Sequence, residues 1–115
     1  MTARVKRRAV LAAGATLLLA AGPVQAQDVA AGRRVAVQVC QSCHGIDGIA
    51  KLPEAPNIAA QDVTYLTRQL NAYKSGERQN ELMSVVAQDL TPEQIANVAA
   101  YYGAIEIEVV KLPGR

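Results

Sequence analysis

The chain has 115 residues, half of them apolar, with no Trp, no Phe and only four Tyr. That length allows one small domain, and a small domain without large aromatics struggles to build a self-sufficient core. Something other than large side chains fills its middle. Two cysteines, Cys40 and Cys43, exclude a disulfide-rich secreted scaffold.

Residues 1–26 read as a secretory signal peptide. Arg4, Lys6, Arg7 and Arg8 form a positive leading region, and Ala9 to Gly22 is an apolar run of 14 residues, too short to span a bilayer comfortably. Pro23 breaks the run, and Val24-Gln25-Ala26 supplies a small-x-small cleavage pattern. This segment also distorts the formal charge of +2. It holds four of the twelve basic residues and none of the ten acidic ones, so residues 27–115 carry a net −2. No cluster of Lys and Arg remains that would suit a nucleic acid. The sequence predicts an exported, periplasmic, slightly acidic domain over 27–103, with an extension over 104–115 and no membrane span after cleavage.

The domain reads as helical. Asp28 can N-cap a helix through Ala30–Cys40, with Val35, Ala36 and Val39 on one stripe. Residues 45–60, with Gly45, Gly48, Pro53 and Pro56, lack any period and read as a loop. Asp62 opens a second helix with Val63, Leu66, Leu70 and Tyr73 on one face, ended by Gly76. A third, short segment surrounds Met83–Ala87. Thr91-Pro92-Glu93-Gln94 is a strong helix start, with Thr91 as N-cap, Pro92 at the first position and Gln94 completing a capping box. That helix carries Ile95, Val98, Ala99 and Tyr102, and Gly103 is its expected stop. In the tail, Ile105, Ile107 and Val109 alternate with Glu106 and Glu108, a period-two pattern for a short strand or arm, although such termini are commonly frayed.

The chemistry is concentrated in Cys40-Gln41-Ser42-Cys43-His44. On a helix, residues three and four apart share a face, so Cys40 has Cys43 and His44 beside it. Two thiols so spaced can bond the two vinyl groups of one haem, and the adjacent imidazole then meets the iron as its proximal ligand. A thioredoxin-like redox pair needs a βαβ context that is missing here. A zinc site needs about four N/S ligands, and Cys40, Cys43 and His44 are the only cysteines and histidine present. Export also suits haem c, which is attached outside the cytoplasm, and the macrocycle supplies the missing centre of the core. His44 being the only histidine, bis-histidine ligation is impossible. Met1 leaves with the signal peptide, so Met83, 39 residues after His44, is the remaining thioether. It reads as the second axial ligand, closing the iron for electron transfer, against the alternative of a core gap-filler.

At these residues the sequence resembles the class I cytochromes c, especially the single-haem halves of the bacterial diheme cytochromes of the c-four type. The resemblance runs over about residues 28–103. It rests on Cys40-Gln-Ser-Cys-His44-Gly45 with Asp47-Gly48, then Pro56-Asn-Ile58, Gln61, Tyr65-Leu66, Gln69-Leu70, Gly76-Glu-Arg78, Asn80, Met83 and Ala100-Tyr101-Tyr102. It implies an all-α bundle wrapped around one covalently attached haem, its first and last helices crossing beside the ring. It also implies that the Pro56 carbonyl orients the His44 ring, that Arg78 pairs with a haem propionate, that Tyr65 lies near a propionate or the ring, and that Asn80 tunes the Met83 sulfur. A single C-x-x-C-H departs from the diheme pattern and excludes internal transfer between two haems.

The leading functional expectation is a one-electron carrier that meets its redox protein partners transiently. The alternative is a haem subunit held permanently in a larger oxidoreductase, with the tail as docking arm. An open-site haem enzyme or gas sensor ranks last, because it usually needs a distal acid–base residue, and no second histidine exists. Oligomeric state is not legible.

Overall fold

The computed structural model describes residues 26–114. The expected signal peptide therefore lies, apart from Ala26, outside the described residues. Among the described residues five α-helices succeed one another: α1 (Val29–Val35), α2 (Gln41–His44), α3 (Val63–Ser75), α4 (Met83–Gln88) and α5 (Pro92–Gly103). Ala36–Cys40 forms a π-helical turn that runs straight from α1 into α2. There is no strand among the described residues, and none of their helices is long and apolar enough to cross a membrane.

The local signals act where the sequence puts them. The Asp28 carboxylate accepts the Ala31 N–H at 2.9 Å, and that of Asp62 accepts the Tyr65 N–H at 2.8 Å. Thr91 and Gln94 close a full capping box, with Pro92 at the first helical position. Gly76 ends α3 in the left-handed conformation. Two boundaries differ from expectation. The first helix continues through the cysteines to His44, and Gly103 lies inside α5, whose cap is Ala104.

Packing turns on the crossing of α1 and α5. A Cβ built on Gly32 would stand 1.9 Å from the Asn97 carbonyl oxygen and 2.9 Å from Tyr101 Cβ. Only a residue without a side chain lets the two backbones approach this closely. Asn97, buried, seals the same contact: its side-chain oxygen accepts the Asp28 N–H at 2.8 Å. Around the crossing, Val35, Ala36, Leu90, Ile95, Val98 and Tyr102 form the core, with Cys40, Ile46, Leu66 and Leu70 packed against it. α5 also packs on α3, and α3 on α4.

The long loop between α2 and α3 is held by α5. Tyr102 Oη donates to the Gly45 carbonyl at 2.9 Å, and Tyr101 Oη to that of Ile46 at 2.8 Å. In return the Tyr102 carbonyl accepts the Ala60 N–H at 3.0 Å. Beyond α5 the tail makes no strand. Ile105 packs on the core, while Ile107, Val109 and Val110 are exposed.

These contacts have two measurable outcomes. Gly32→Ala forces α1 and α5 apart and lowers stability by about 1–3 kcal/mol, read from the denaturant midpoint of the haem-loaded protein. Burial first, then Cys40 and Tyr101, raises the Tyr102 hydroxyl far above its ordinary range. The unfolded chain therefore loses this proton first, so the stability linked to it is complete below about pH 10 and falls as pH rises beyond. Tyr102→Phe removes that alkaline decline and weakens the protein at neutral pH, both visible in unfolding curves across alkaline pH.

Candidate functional site

Cys40 ends the π turn, and Cys43 and His44 come next within α2. Both thiols are free and half-buried. Burial, with Cys43 adding to it, pushes the Cys40 thiol up to about 11. The π turn corrects the expected stripe: Val35 and Ala36 are buried, but Val39 is 37% exposed and Cys40 takes its place against the core. Bonds spanning five residues put one more residue into the turn than α spacing allows. Gln41, between the cysteines, donates its side-chain amide to the Val37 carbonyl at 2.7 Å.

His44 is buried, and its Nδ1 lies 2.9 Å from the Pro56 carbonyl oxygen. A carbonyl only accepts, so Nδ1 carries the hydrogen, and the neutral ring presents Nε2 as a lone pair. The loop that brings Pro56 there is tightly laced. The Lys51 N–H bonds the Cys43 carbonyl at 2.8 Å, and Asn57 Oδ1 accepts the Ala50 N–H at 2.7 Å. The Gly48 carbonyl takes the N–H groups of Ile58 and Ala59. Gly48 sits at φ 72°, and a Cβ there would lie 2.6 Å from the Ala59 nitrogen. Asp47 spans the turn, accepting from the Ile49 N–H and pairing with Lys51 Nζ at 3.2 Å. The Ile49 bond chiefly, and Lys51 after it, keeps this carboxyl below the usual range.

Met83 opens α4, half-buried. Asn80 Oδ1 accepts the Leu82 and Met83 N–H groups, both at 3.0 Å. The Asn80 oxygen thus fixes the backbone of Met83. At its other end α4 is clamped to α3: Lys74 Nζ donates to the Gln88 carbonyl at 2.7 Å, and Gln88 Nε2 to that of Lys74 at 2.7 Å. Arg78 bonds Gln69 Oε1 at 2.7 Å and lies 4.7 Å from the Tyr73 ring centroid. Tyr65 is exposed, with the Arg68 guanidinium 5.9 Å from its ring centroid.

The site residues therefore stand in two units. Cys40, Cys43, His44 and Pro56 form one, and Arg78 and Met83 hang on the other, built from α3 and α4. α5 packs on both α1 and α3 and joins them. Sequence reasoning missed the hydroxyl donors of Tyr101 and Tyr102, the Asn97 seal, and the Lys74–Gln88 clamp. Each depends on a partner remote in sequence.

The residues fit a haem. Two free thiols, an imidazole with an available Nε2 and a thioether are the donor set of haem c. Apolar side chains stand exposed on the segments that carry these donors: Val37 and Val39 before Cys40, Ile49 and Leu52 in the loop, Leu82 and Val85 around Met83. Among the described residues no three of His, Cys, Asp and Glu converge to hold a bare metal ion.

Comparison with known proteins points the same way. Residues 27–101 match the protein family described as cytochrome c oxidase, cbb3-type, subunit III. The chain is 42% identical over 84 residues to cytochrome c-554(548) of Halomonas halodenitrificans, covering 70% of this chain and 100% of that protein. It is 36% identical over 84 residues to cytochrome c4 of Pseudomonas aeruginosa, but spans only 41% of that protein and 73% of its own length. Among solved structures, a thiosulfate dehydrogenase from Marichromatium purpuratum superposes with a TM-score of 0.64 at 34% identity, over 68% of this chain and 19% of that one. The chain belongs to the cytochrome c family, with the all-α fold and the electron-transfer function of that family.

Proposed function

We propose that this cytochrome is a periplasmic one-electron carrier with a single haem c, bonded through Cys40 and Cys43 and ligated by His44 and Met83. When bound, the haem supplies an Fe(III)/Fe(II) couple. The observation that carries the reading is the His44–Pro56 bond at 2.9 Å. It fixes the tautomer, orients the ring and strengthens Nε2 as a ligand. Asn80 and the Lys74–Gln88 clamp hold the segment bearing Met83 at both ends. With His44, the Met83 thioether would hold the iron, raise its reduction potential and close it to outside ligands. Arg78, exposed and bonded to Gln69 Oε1 through one of its nitrogens, has further N–H groups to offer a propionate. The net −2 of residues 27–115 gives little long-range steering, so brief encounters with redox partners rest on short-range contact.

A second reading makes the same domain the permanent haem subunit of a larger oxidoreductase. The tail favours it: Val110 is 89% exposed, and Ile107 and Val109 are uncovered with it. A patch of that kind commonly marks a contact surface. Gel filtration of the native protein from its source separates the two, a lone domain favouring the carrier and a stable larger complex the subunit.

Visible spectra of the oxidised, reduced and carbon monoxide-treated protein test the ligation. The wild type is expected to be low-spin and indifferent to carbon monoxide. Met83→Ala is expected to bind carbon monoxide and to show a lower reduction potential. A wild-type response to carbon monoxide overturns closure by Met83, and the absence of any covalent haem overturns the reading as a whole.

A further inference from the structure

The chain between α3 and the foot of α4 is held by few contacts. No residue from Ser75 to Val86 is buried by the protein, so apolar packing does little to retain this stretch. Arg78 ties its beginning to α3, its N–H on the Ala72 carbonyl at 3.0 Å and its guanidinium on Gln69. Beyond it, among the described residues, the only hydrogen bonds between 79–88 and α3 run through Lys74.

Those bonds are reciprocal. The last carbonyls of a helix lack helical donors and accept from side chains that reach them. Lys74 Nζ donates to the Gln88 carbonyl at 2.7 Å and reaches that of Ala87 at 3.5 Å, at the end of α4. Gln88 Nε2 donates to the Lys74 carbonyl at 2.7 Å, at the end of α3. Each residue therefore caps the other's helix. The pair also closes a loop of chain at its neck, and Arg78, Asn80 and Met83 all lie inside that loop. Within it the Asn80 N–H bonds Ser84 Oγ, and Asn80 Oδ1 accepts the Leu82 and Met83 N–H groups. The loop is thus folded on itself and fastened at its neck.

We propose that Lys74 and Gln88 are positioning residues for the thioether ligand of the iron. Their bonds latch the loop over 75–87, and Met83 leaves the iron only when that latch opens. The inference rests on the reading of Met83 as an axial ligand. It assigns control over the entry of outside ligands to a pair of residues that supplies no donor to the iron.

The test uses the full chain matured with haem, as wild type, Lys74→Leu, Gln88→Leu and Gly32→Ala. Leucine removes each donor without adding a new ligand, and Gly32→Ala strains the α1–α5 crossing as a reference for general loss of stability. The first readout is the limiting rate at which excess imidazole replaces a ligand of the ferric protein. The second is amide hydrogen exchange at Arg78, Ser84 and Val86, referenced to amides of α5. Both latch variants are expected to raise the imidazole rate, and exchange at these three amides, by on the order of tenfold, with α5 unchanged. Gly32→Ala is expected to lower the denaturant midpoint and to leave the imidazole rate as in the wild type. The proposal is overturned if either latch variant matches wild type in both readouts, or if Gly32→Ala speeds imidazole entry as much as they do. If neither latch variant accumulates, exchange in the wild type decides. One protection shared by the Gln88 side-chain amide and the three backbone amides supports the latch, and scattered values overturn it. A wild type that binds carbon monoxide at once, or carries no covalent haem, overturns the ligation on which the latch rests. Failure of the latch alone leaves that ligation intact, so the two failures are distinguishable.

Discussion

The contact of α1 with α5 at Gly32 and Asn97 is the constraint from which the rest of the molecule hangs. Two helix backbones meet where a Cβ on Gly32 would stand 1.9 Å from the Asn97 carbonyl oxygen. That closeness puts Tyr101 and Tyr102 within reach of the carbonyls just after His44. The same helix pair sets the depth of Cys40, which packs on the core that α5 supplies. With so few aromatic side chains available, two tyrosine hydroxyls and one buried asparagine do through hydrogen bonds what larger rings commonly do by bulk. The haem of the family then completes a core whose protein part is small.

The candidate site is divided between two separately held units. His44 is fixed by Pro56 behind it and by a loop whose turns are laced through Gly48, Asn57 and Asp47. Met83 stands at the head of a helix of six residues, capped by Asn80 and anchored at its foot by Lys74 and Gln88. On the proposed ligation, an imidazole held by Pro56 and a thioether on a short, separately held segment suit a centre that changes charge without changing ligands.

Much of this is written locally. The Asp28, Asp62 and Thr91 caps and the Gly76 stop are legible because each acts within one turn of its own residue. The C-x-x-C-H spacing is equally local, and it carries most of the function. The Pro56 role came only through resemblance, since nothing in the eleven intervening residues announces that the chain doubles back. The π turn was illegible because reading a stripe from Val35 to Val39 assumes 3.6 residues per turn throughout, and one i→i−5 bond breaks that assumption. Asn97, Tyr101 and Tyr102 looked like members of an ordinary helix face. Their polar atoms gain meaning only from groups 55 to 69 residues away. The alternating tail shows the reverse case: a period of two is a pattern, and a strand needs a neighbour to pair with.

The anchoring of α4 also bears on how the molecule breathes. Its foot is secured by buried Ala87, with buried Leu90 just beyond, while Leu82 and Val85 at its head are exposed. Its principal neighbour is α3, whereas α5 is gripped from two sides. Local opening is least costly where few apolar groups are buried, so the head of α4 is expected to open more readily than α5. The segment that carries the thioether is thereby more loosely packed than the helix crossing that backs the imidazole.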